Sequence, residues 1–277
     1  MRILMCTDGS SWAERALSFG APIALSAKQP IVVLGVAQHR GERGRVREAL
    51  TQAEERFREQ GIDLQTKLRV GQAADQILGE TEEHPYDLLI VGSRRRRGVT
   101  RFLLGSTANR LASHSLVPVL IVRGERDSLR EILICTGAGK PSEESIRFGA
   151  LVAKGAGAKA TLLHVMSQLL LTPRAAAADW ELATEEFLRG EAQEALHLRE
   201  GLKMLAEAEV PAKAKIRRGL VLDEIFAEAE EGDYDLIVVG AHAARGLDRY
   251  LLDDVANKIV AHARRPVLVV RSSVEER

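Results

Sequence analysis

Residues that could contact a ligand are concentrated in three short segments, each of which ends or follows an apolar run. Residues 6–10 read CTDGS, residues 35–38 read GVAQ, and residues 92–107 read GSRRRRGVTRFLLGST. Glycine lets the backbone approach a ligand closely, and the N-terminus of a following helix offers free N–H groups to an anion. Segments of this kind favour a phosphate-bearing ligand such as a nucleotide.

Sequence patterns of catalysis and metal binding are absent. The chain contains no GxxxxGK[ST] loop, no GxSxG turn, and no GxGxxG after the first apolar run. Its seven histidines and two cysteines show no metal-ligand spacing. We expect Cys6 and Cys135 to be buried thiols and His164 to be a core residue that ends a strand. No catalytic residue and no metal-binding residue is predicted.

An internal repeat covers the 277 residues and predicts two domains, residues 1–126 and 127–277. The clearest matches are residues 2–27 with 131–156, and residues 86–93 with 234–241.

The second copy is longer than the first. Val36 aligns with Val165 at an offset of 129 residues, whereas Gly92 aligns with Gly240 at an offset of 148, so the second copy carries 19 extra residues. They fall within residues 168–209. We predict one longer amphipathic helix there, from apolar residues at helical spacing: Leu188, Ala192, Ala195, Leu202 and Leu205. The leucines before it, at 169–171, either form an interface or fold back onto the second sheet.

Within each copy, short apolar runs alternate with helical patterns. The runs are apolar throughout, which is typical of strands covered on both faces. The predicted fold class is therefore α/β, with two tandem doubly wound, Rossmann-like domains, each a five-stranded parallel sheet with helices on both faces. Ligands bind such sheets at the carboxyl ends of the strands. In the first copy the predicted strands are 2–7, 30–36, 62–70, 87–92 and 117–123, and the predicted helices are 11–27, 45–60, 73–83 and 105–114.

Taken with the repeat, these segments resemble the universal stress protein family in its tandem form. The family motif is G-x-x-G, nine residues, then G-S/T after the fourth strand, and here it starts at Gly92 and ends at Gly105 and Ser106. The resemblance implies ATP binding, with or without Mg²⁺. Asp8 would hold the ribose or adenine, Val36 the adenine, and Gly105 with Ser106 the phosphates. The resemblance also assigns to the site Thr7, Val91, Gly92 and Thr107, and the position of the second motif glycine, which Arg95 occupies here.

The sequence departs from the family motif in both copies. Arg95 stands where the second motif glycine is expected, and its guanidinium could replace lost amide contacts with a charge-assisted bond to phosphate. The second copy has Gly137 in place of Asp8, Ala243 at the second motif glycine, and Asp253-Asp254 in place of Gly-Ser. Carboxylates repel phosphates, so we predict nucleotide binding in the first domain only.

Several of these residues have an alternative structural role. Asp8 and Ser106 each precede or begin a helical pattern, so they could act as helix caps, a role that for Ser106 is compatible with phosphate binding. The arginines at 94–97 and Arg101 either form a solvated loop face or bind phosphate or an acidic partner.

The leading functional hypothesis is a nucleotide-responsive stress or signalling protein that acts by conformation and by binding an unidentified protein partner. The alternatives are a nucleotide-free interaction module of the same fold and a slow ATPase; the chain is otherwise not expected to be an enzyme. Its zero net charge gives no reason to expect nucleic-acid binding, and its apolar runs are too short to span a membrane. We expect a cytoplasmic protein whose halves pair as an intramolecular pseudo-dimer, with a homodimer as a further option.

Overall fold

The structure is a computed structural model and describes residues 1–27, 29–93, 105–137, 140–166, 184–241 and 254–271. The elements of the first half are β1 (Ile3–Thr7), α1 (Ser11–Leu25), β2 (Ile31–Ala37), a 3₁₀ turn (Arg40–Glu42), α2 (Arg43–Glu59), β3 (Leu64–Val70), α3 (Ala73–Glu83), β4 (Leu88–Gly92), α4 (Ser106–His114) and β5 (Val119–Val122). Those of the second half are β6 (Glu131–Thr136), α5 (Lys140–Ala156), β7 (Lys159–Met166), α6 (Gln193–Glu207), β8 (Ala212–Arg218), α7 (Val221–Glu231), β9 (Leu236–Ala241), α8 (Asp254–His262) and β10 (Val267–Arg271).

Each half is a five-stranded parallel sheet, and the predicted α/β fold is confirmed. The strand order is β3-β2-β1-β4-β5 in the first half and β8-β7-β6-β9-β10 in the second. Apolar side chains of α1, α2, α5 and α6 pack on one face, and those of α3, α4, α7 and α8 pack on the other. The first-half bounds lie within two residues of the predicted ones. For example, α1 ends at Leu25 instead of residue 27, and the Ser26 hydroxyl donates to the carbonyl of Ile23.

The two halves join through their last strands into one ten-stranded sheet. β5 and β10 pair antiparallel, with Val119 opposite Val269 and Ile121 opposite Val267, whereas neighbouring strands within each half are parallel. An antiparallel pair of equivalent strands is what a two-fold relationship between the halves produces.

Two equivalent arginines cross this junction in opposite directions. Arg123, just after β5, donates from Nη1 to the carbonyls of Val260 (2.7 Å) and Ala263 (3.2 Å) at the end of α8. Arg271, at the end of β10, donates to the carbonyls of Ala112 and Ser113 near the end of α4. Each cation thus lies at the negative end of a helix dipole in the opposite half. Burial lowers the pKa of Arg123 to about 10.

The extra residues of the second half do not form the single long helix that the spacing predicts. Residues 184–189 are helical, the helix stops at Gly190, and α6 starts anew at Gln193 with Ala192 as its N-cap in an extended conformation. Gly190 donates its N–H to the carbonyl of Phe187, which closes the first segment. The prediction of one helix was therefore wrong. The leucines at 169–171 lie outside the described residues.

A buried ion network attaches each outer strand to the helix that follows it. The Glu80 carboxylate of α3 accepts hydrogen bonds from Lys67 Nζ (2.5 Å) and Arg69 Nη2 (2.5 Å) of β3, and from the Tyr86 hydroxyl (2.8 Å). Glu80 is fully buried, so its charge depends on these partners. The second half repeats the network with Glu228, Lys215, Arg217 and Tyr234.

Neutralising the centre of this network should destabilise the protein. Glu80→Gln keeps the side-chain shape but removes the counter-charge of Lys67 and Arg69, so we expect the free energy of unfolding to fall by about 2 kcal/mol at pH 7. Urea unfolding followed by circular dichroism measures this change. Glu82→Gln, at an exposed position of the same helix, is the control and should stay within about 0.5 kcal/mol. Equal effects of the two substitutions would contradict the assignment.

The same variants should differ in their pH dependence. Burial raises the pKa of Glu80, but hydrogen bonds from Lys67 and Tyr86 and the charges of Lys67 and Arg69 outweigh it and hold the pKa below its ordinary value of 4.5. A folded-state pKa below the unfolded one stabilises the fold above about pH 4.5, and this stabilisation is lost as the pH falls further. The stability difference between the parent and Glu80→Gln should therefore shrink on acidification below that pH.

Candidate functional site

A cavity of about 550 Å³ opens at the carboxyl ends of β1, β2 and β4. The chain leaves β1 towards β2 on one side, whereas β4 lies on the other side of β1, so the loops diverge above β1. This divergence of the loops creates the crevice in which open α/β sheets bind ligands. The first half therefore holds its cavity where the fold class predicts it.

One end of the cavity is apolar. Val36 and Val91 line it from the ends of β2 and β4, and Ala73, Ile77 and Ala108 line it from α3 and α4. These side chains belong to the cluster between the sheet and the α3–α4 layer. The last register pair between β1 and β2 is Thr7 with Gly35, so Val36 and Ala37 extend beyond β1 along the cavity.

The other end is polar and is formed by the loop between β1 and α1. The Thr7 hydroxyl accepts from the N–H of Gly9 (3.1 Å), the Asp8 carboxylate from that of Ser10 (2.9 Å), and the Ser10 hydroxyl from that of Ala13 (3.3 Å). Ser10, not Asp8, is thus the N-cap of α1. Asp8 shapes the turn with one oxygen and is exposed at the cavity.

The N-terminus of α4 also faces the cavity, through Gly105, Ser106 and Thr107. Gly105 is the N-cap, with an extended ψ of 140°, and makes no side-chain cap hydrogen bond. Ser106 is therefore the first residue of the helix, so the alternative that it acts as the N-cap was wrong. Because glycine has no side chain, the N-cap residue cannot accept a hydrogen bond from the backbone N–H groups of the first turn. Free N–H groups at a helix N-terminus attract anions.

Gly92 brings β4 and α1 into direct contact at the floor of the site. A Cβ atom on Gly92 would lie 2.4 Å from the carbonyl oxygen and 2.7 Å from the carbonyl carbon of Trp12. Backbone atoms cannot move aside as a flexible side chain does, so only glycine fits between the two elements. The position of the β1–α1 loop therefore depends on Gly92.

All the predicted site residues except Arg95 line this one cavity. Residues 94–104, which include Arg95, and residues 242–253, which include Ala243 and Asp253, lie outside the described residues. Sequence reasoning missed the cavity positions of Trp12 and Arg45. Gln38, which directly follows β2, belongs to the segment 35–38 that the sequence pointed to, but it was not named as a site residue. Arg45 lies on α2 and reaches the site by packing on Gly9, a contact that no sequence pattern reveals.

Cys6 lines the cavity, whereas Cys135 and His164 lie on strands of the second half. Burial, assisted by the charge of Glu80, raises the pKa of Cys6 well above its ordinary range, so the thiol stays protonated. Cys135 is only partly buried, which corrects the expectation for that residue. His164 lies inside β7 rather than at its end, is half-buried, and stacks on Phe187 with 6.5 Å between ring centroids.

The corresponding region of the second half has different chemistry. Gly137 replaces Asp8, so the carboxylate of the first-half loop is missing. Asp254 begins α8 at the place of Ser106 and accepts a hydrogen bond from Lys258 one turn later (2.5 Å). A carboxylate in the first turn of a helix repels an anion that approaches the helix N-terminus.

Comparison with known proteins identifies the family of the chain. The model of the universal stress protein family matches residues 1–123 and, a second time, residues 128–271. The chain belongs to the universal stress protein family. It is similar to a universal stress protein of Methanocaldococcus jannaschii, with 32% identity over 156 residues, 56% of this chain and 90% of that protein. It is also similar to one of Mycolicibacterium smegmatis, with 26% identity over 76% of this chain and 70% of that protein.

Solved structures show the same fold for this universal stress protein over almost its whole length. A universal stress protein from Archaeoglobus fulgidus superimposes with a TM-score of 0.74 at 18% identity and covers 98% of both chains. A second, from Pseudomonas aeruginosa, gives 0.68 at 19% identity over 98% of this chain and 92% of that one. Among the described residues, no helix combines the length and apolar character needed to cross a membrane.

Gly92 and Gly105 offer a matched pair of substitutions in this universal stress protein. Gly92→Ala forces a methyl group against the Trp12 carbonyl, so we expect the free energy of unfolding to fall by about 1–3 kcal/mol and the β1–α1 loop to shift. At Gly105, the N-cap of α4, no described atom lies within 4 Å of the position that a Cβ atom would take, so alanine there should cost only the ordinary difference between glycine and alanine at an N-cap, about 0.5–1 kcal/mol. Urea unfolding compares them; similar losses would argue against Gly92 as a close-contact position.

Proposed function

We propose that the first half binds an adenine nucleotide, specifically ATP, in the cavity above β1, and that the protein acts as a nucleotide-responsive stress or signalling protein. Its output would be a conformational change and the binding of a partner protein, not turnover. The single observation that carries the proposal is the joint lining of one cavity by apolar side chains, a polar loop and the N-terminus of α4, whose N-cap Gly105 has no side chain.

The apolar end suits the base of a nucleotide. Val36, Ile77 and Ala108 offer an aliphatic surface to a flat aromatic ring, and the backbone beyond the Thr7–Gly35 register pair supplies polar groups beside it. Pockets that combine an apolar lining with a few fixed polar groups are the usual form of small-molecule sites. Asp8 then faces the ribose or the edge of the base.

The phosphates fit at α4. Gly105 allows close approach, and Ser106 and Thr107 contribute hydroxyl groups and helix-terminal amides. Magnesium is typically held by one or two carboxylates together with phosphate oxygens and waters. Asp8 is the carboxylate among the described lining residues, so any Mg²⁺ would be bound largely through the nucleotide.

Two alternatives belong to other functional classes. A nucleotide-free interaction module would use the same fold without a ligand, and copurified nucleotide distinguishes it from the leading proposal. A slow ATPase needs a group that activates water, and among the described lining residues the Asp8 carboxylate is a group of that kind. We further propose a cytoplasmic location, and an interface role for residues 168–209.

Nucleotide should bind with a stoichiometry of one per chain, in the first half. The retained Asp8 and Ser106 support this, against Gly137 and Asp254 at the corresponding positions. Ser106→Asp introduces at the start of α4 the negative charge that Asp254 provides at the start of α8. This charge repels the phosphates, so we expect the ATP affinity to fall at least tenfold. Isothermal titration calorimetry measures both quantities.

Two controls accompany this titration. Ser106→Ala removes the hydroxyl without adding charge and should weaken ATP binding less than Ser106→Asp does. Gln52→Glu adds the same charge at an exposed position of α2, away from the cavity lining, and should leave the affinity unchanged. Two equivalent sites per chain, or full binding by Ser106→Asp, would refute the assignment to the first half.

Arg95 provides a separate test of the phosphate end. If its guanidinium contacts the phosphates, Arg95→Ala and Arg95→Gly should both weaken ATP by about ten- to hundredfold and adenosine far less, because only ATP carries the charge. Tighter ATP binding by Arg95→Gly would instead identify the arginine as an obstruction in place of the family glycine. Calorimetric titration of both variants with ATP and adenosine separates these results.

A further inference from the structure

Trp12 forms part of the cavity wall, and its backbone packs closely against the end of β4. The residue lines the cavity, and its carbonyl lies so close to Gly92 that a Cβ atom on Gly92 would be 2.4 Å from the carbonyl oxygen. A shift of the Trp12 backbone towards β4 would therefore meet the backbone of Gly92. The indole side chain is less constrained by this contact, so the groups that hold it matter.

Arg15, one turn further along α1, holds the indole and also contacts the segment between the halves. Its guanidinium carbon lies 5.1 Å from the centroid of the Trp12 ring, a cation–π arrangement. Nη1 of the same side chain donates a 2.6 Å hydrogen bond to the carbonyl of Gly124. The Arg15 side chain thus touches both the cavity wall and the linker, which we define as residues 123–130 between β5 and β6.

Gly124 in turn is pressed against the second half. Its φ of +76° lies in the left-handed region, and a Cβ atom there would be 2.9 Å from the carbonyl oxygen of Arg264. The preceding residue, Arg123, is buried and donates to the carbonyls of Val260 and Ala263. A displacement of the linker would therefore disturb the end of α8 and the β5–β10 junction.

The second half lacks the residues for such a connection. Glu144 aligns with Arg15 and Pro141 with Trp12, so the charge is reversed and the aromatic ring is gone. Glu144 instead pairs with Arg147 on its own helix (2.6 Å). The connection is present in the half that retains the nucleotide motif.

We propose that Arg15 is a positioning residue that links occupancy of the first-half cavity to the β5–β10 junction. This inference rests on the proposed function, because the ligand is the nucleotide assigned to that cavity. A ligand that contacts the indole favours one placement of Arg15, and this placement favours one geometry of the linker. By thermodynamic linkage, the factor by which ATP binding favours one geometry of the junction is also the factor by which that geometry raises the affinity for ATP.

The first experiment compares ATP binding and amide hydrogen exchange in the full-length chain. Arg15→Met should weaken ATP about two- to fivefold, and Arg15→Lys, which retains a cation and a donor, should restore most of the affinity. ATP should slow exchange in residues 119–124 and 259–263 of the parent protein but not of Arg15→Met. Arg47→Met, at an exposed position of α2, is the control and should behave as the parent. Identical exchange changes in the parent and in Arg15→Met would overturn the link.

A second experiment needs no nucleotide. In a Trp180→Phe background, Trp12 is the remaining tryptophan and reports on the cavity wall. Gly124→Ala strains the linker, so it should shift Trp12 emission when Arg15 is present and not in Arg15→Met. An Arg15-dependent shift in a protein that binds no ATP would retain the link and refute the proposed function. An equal shift with and without Arg15 would refute the link even if ATP binds.

Discussion

The antiparallel pairing of β5 with β10 is the constraint on which the rest of the molecule depends. It fuses two five-stranded sheets into one, aligns their helical layers, and places the end of each half beside the α4 or α8 helix of the other. Arg123, which is buried, and Arg271, which is partly buried, then cap these helices reciprocally, each as a cation held by carbonyl oxygens near a helix C-terminus. Because the acceptors belong to the opposite half, the caps form only when the two halves are joined in this geometry.

Duplication preserved the frame and allowed the site to diverge. The ion networks centred on Glu80 and Glu228 occupy equivalent positions and make the same types of contact, so the attachment of each outer strand is common to both halves. At the carboxyl ends of the strands the halves differ, with Asp8 against Gly137 and Ser106 against Asp254. A buried network tolerates little change without a loss of stability, whereas loop residues at the rim of a cavity change at small cost to the fold.

Sequence patterns predicted the fold and much of the cavity because both depend on local rules. Unbroken apolar runs identify buried parallel strands, and polar residues that follow them meet at one edge of the sheet. The patterns could not reveal contacts between distant positions, such as Arg45 on Gly9 or Arg123 on α8. The patterns also did not reveal that a new helix, α6, begins after Gly190. The apolar residues keep their helical spacing across the break, whereas the helical conformation of the backbone is interrupted there.

The order of the strands determines which edges the molecule presents to its surroundings. Since the halves meet through β5 and β10, the strands at the two outer edges are the equivalent strands β3 and β8. Both are rich in basic side chains, with Lys67 and Arg69 on one, and Lys213, Lys215 and Arg217 on the other. Four of these cations pair with a buried carboxylate of the following helix, Lys67 and Arg69 with Glu80, and Lys215 and Arg217 with Glu228. Charged side chains are one of the means by which edge strands resist pairing with another chain, so here the ion network that attaches each outer strand to its helix also places charge along the edge.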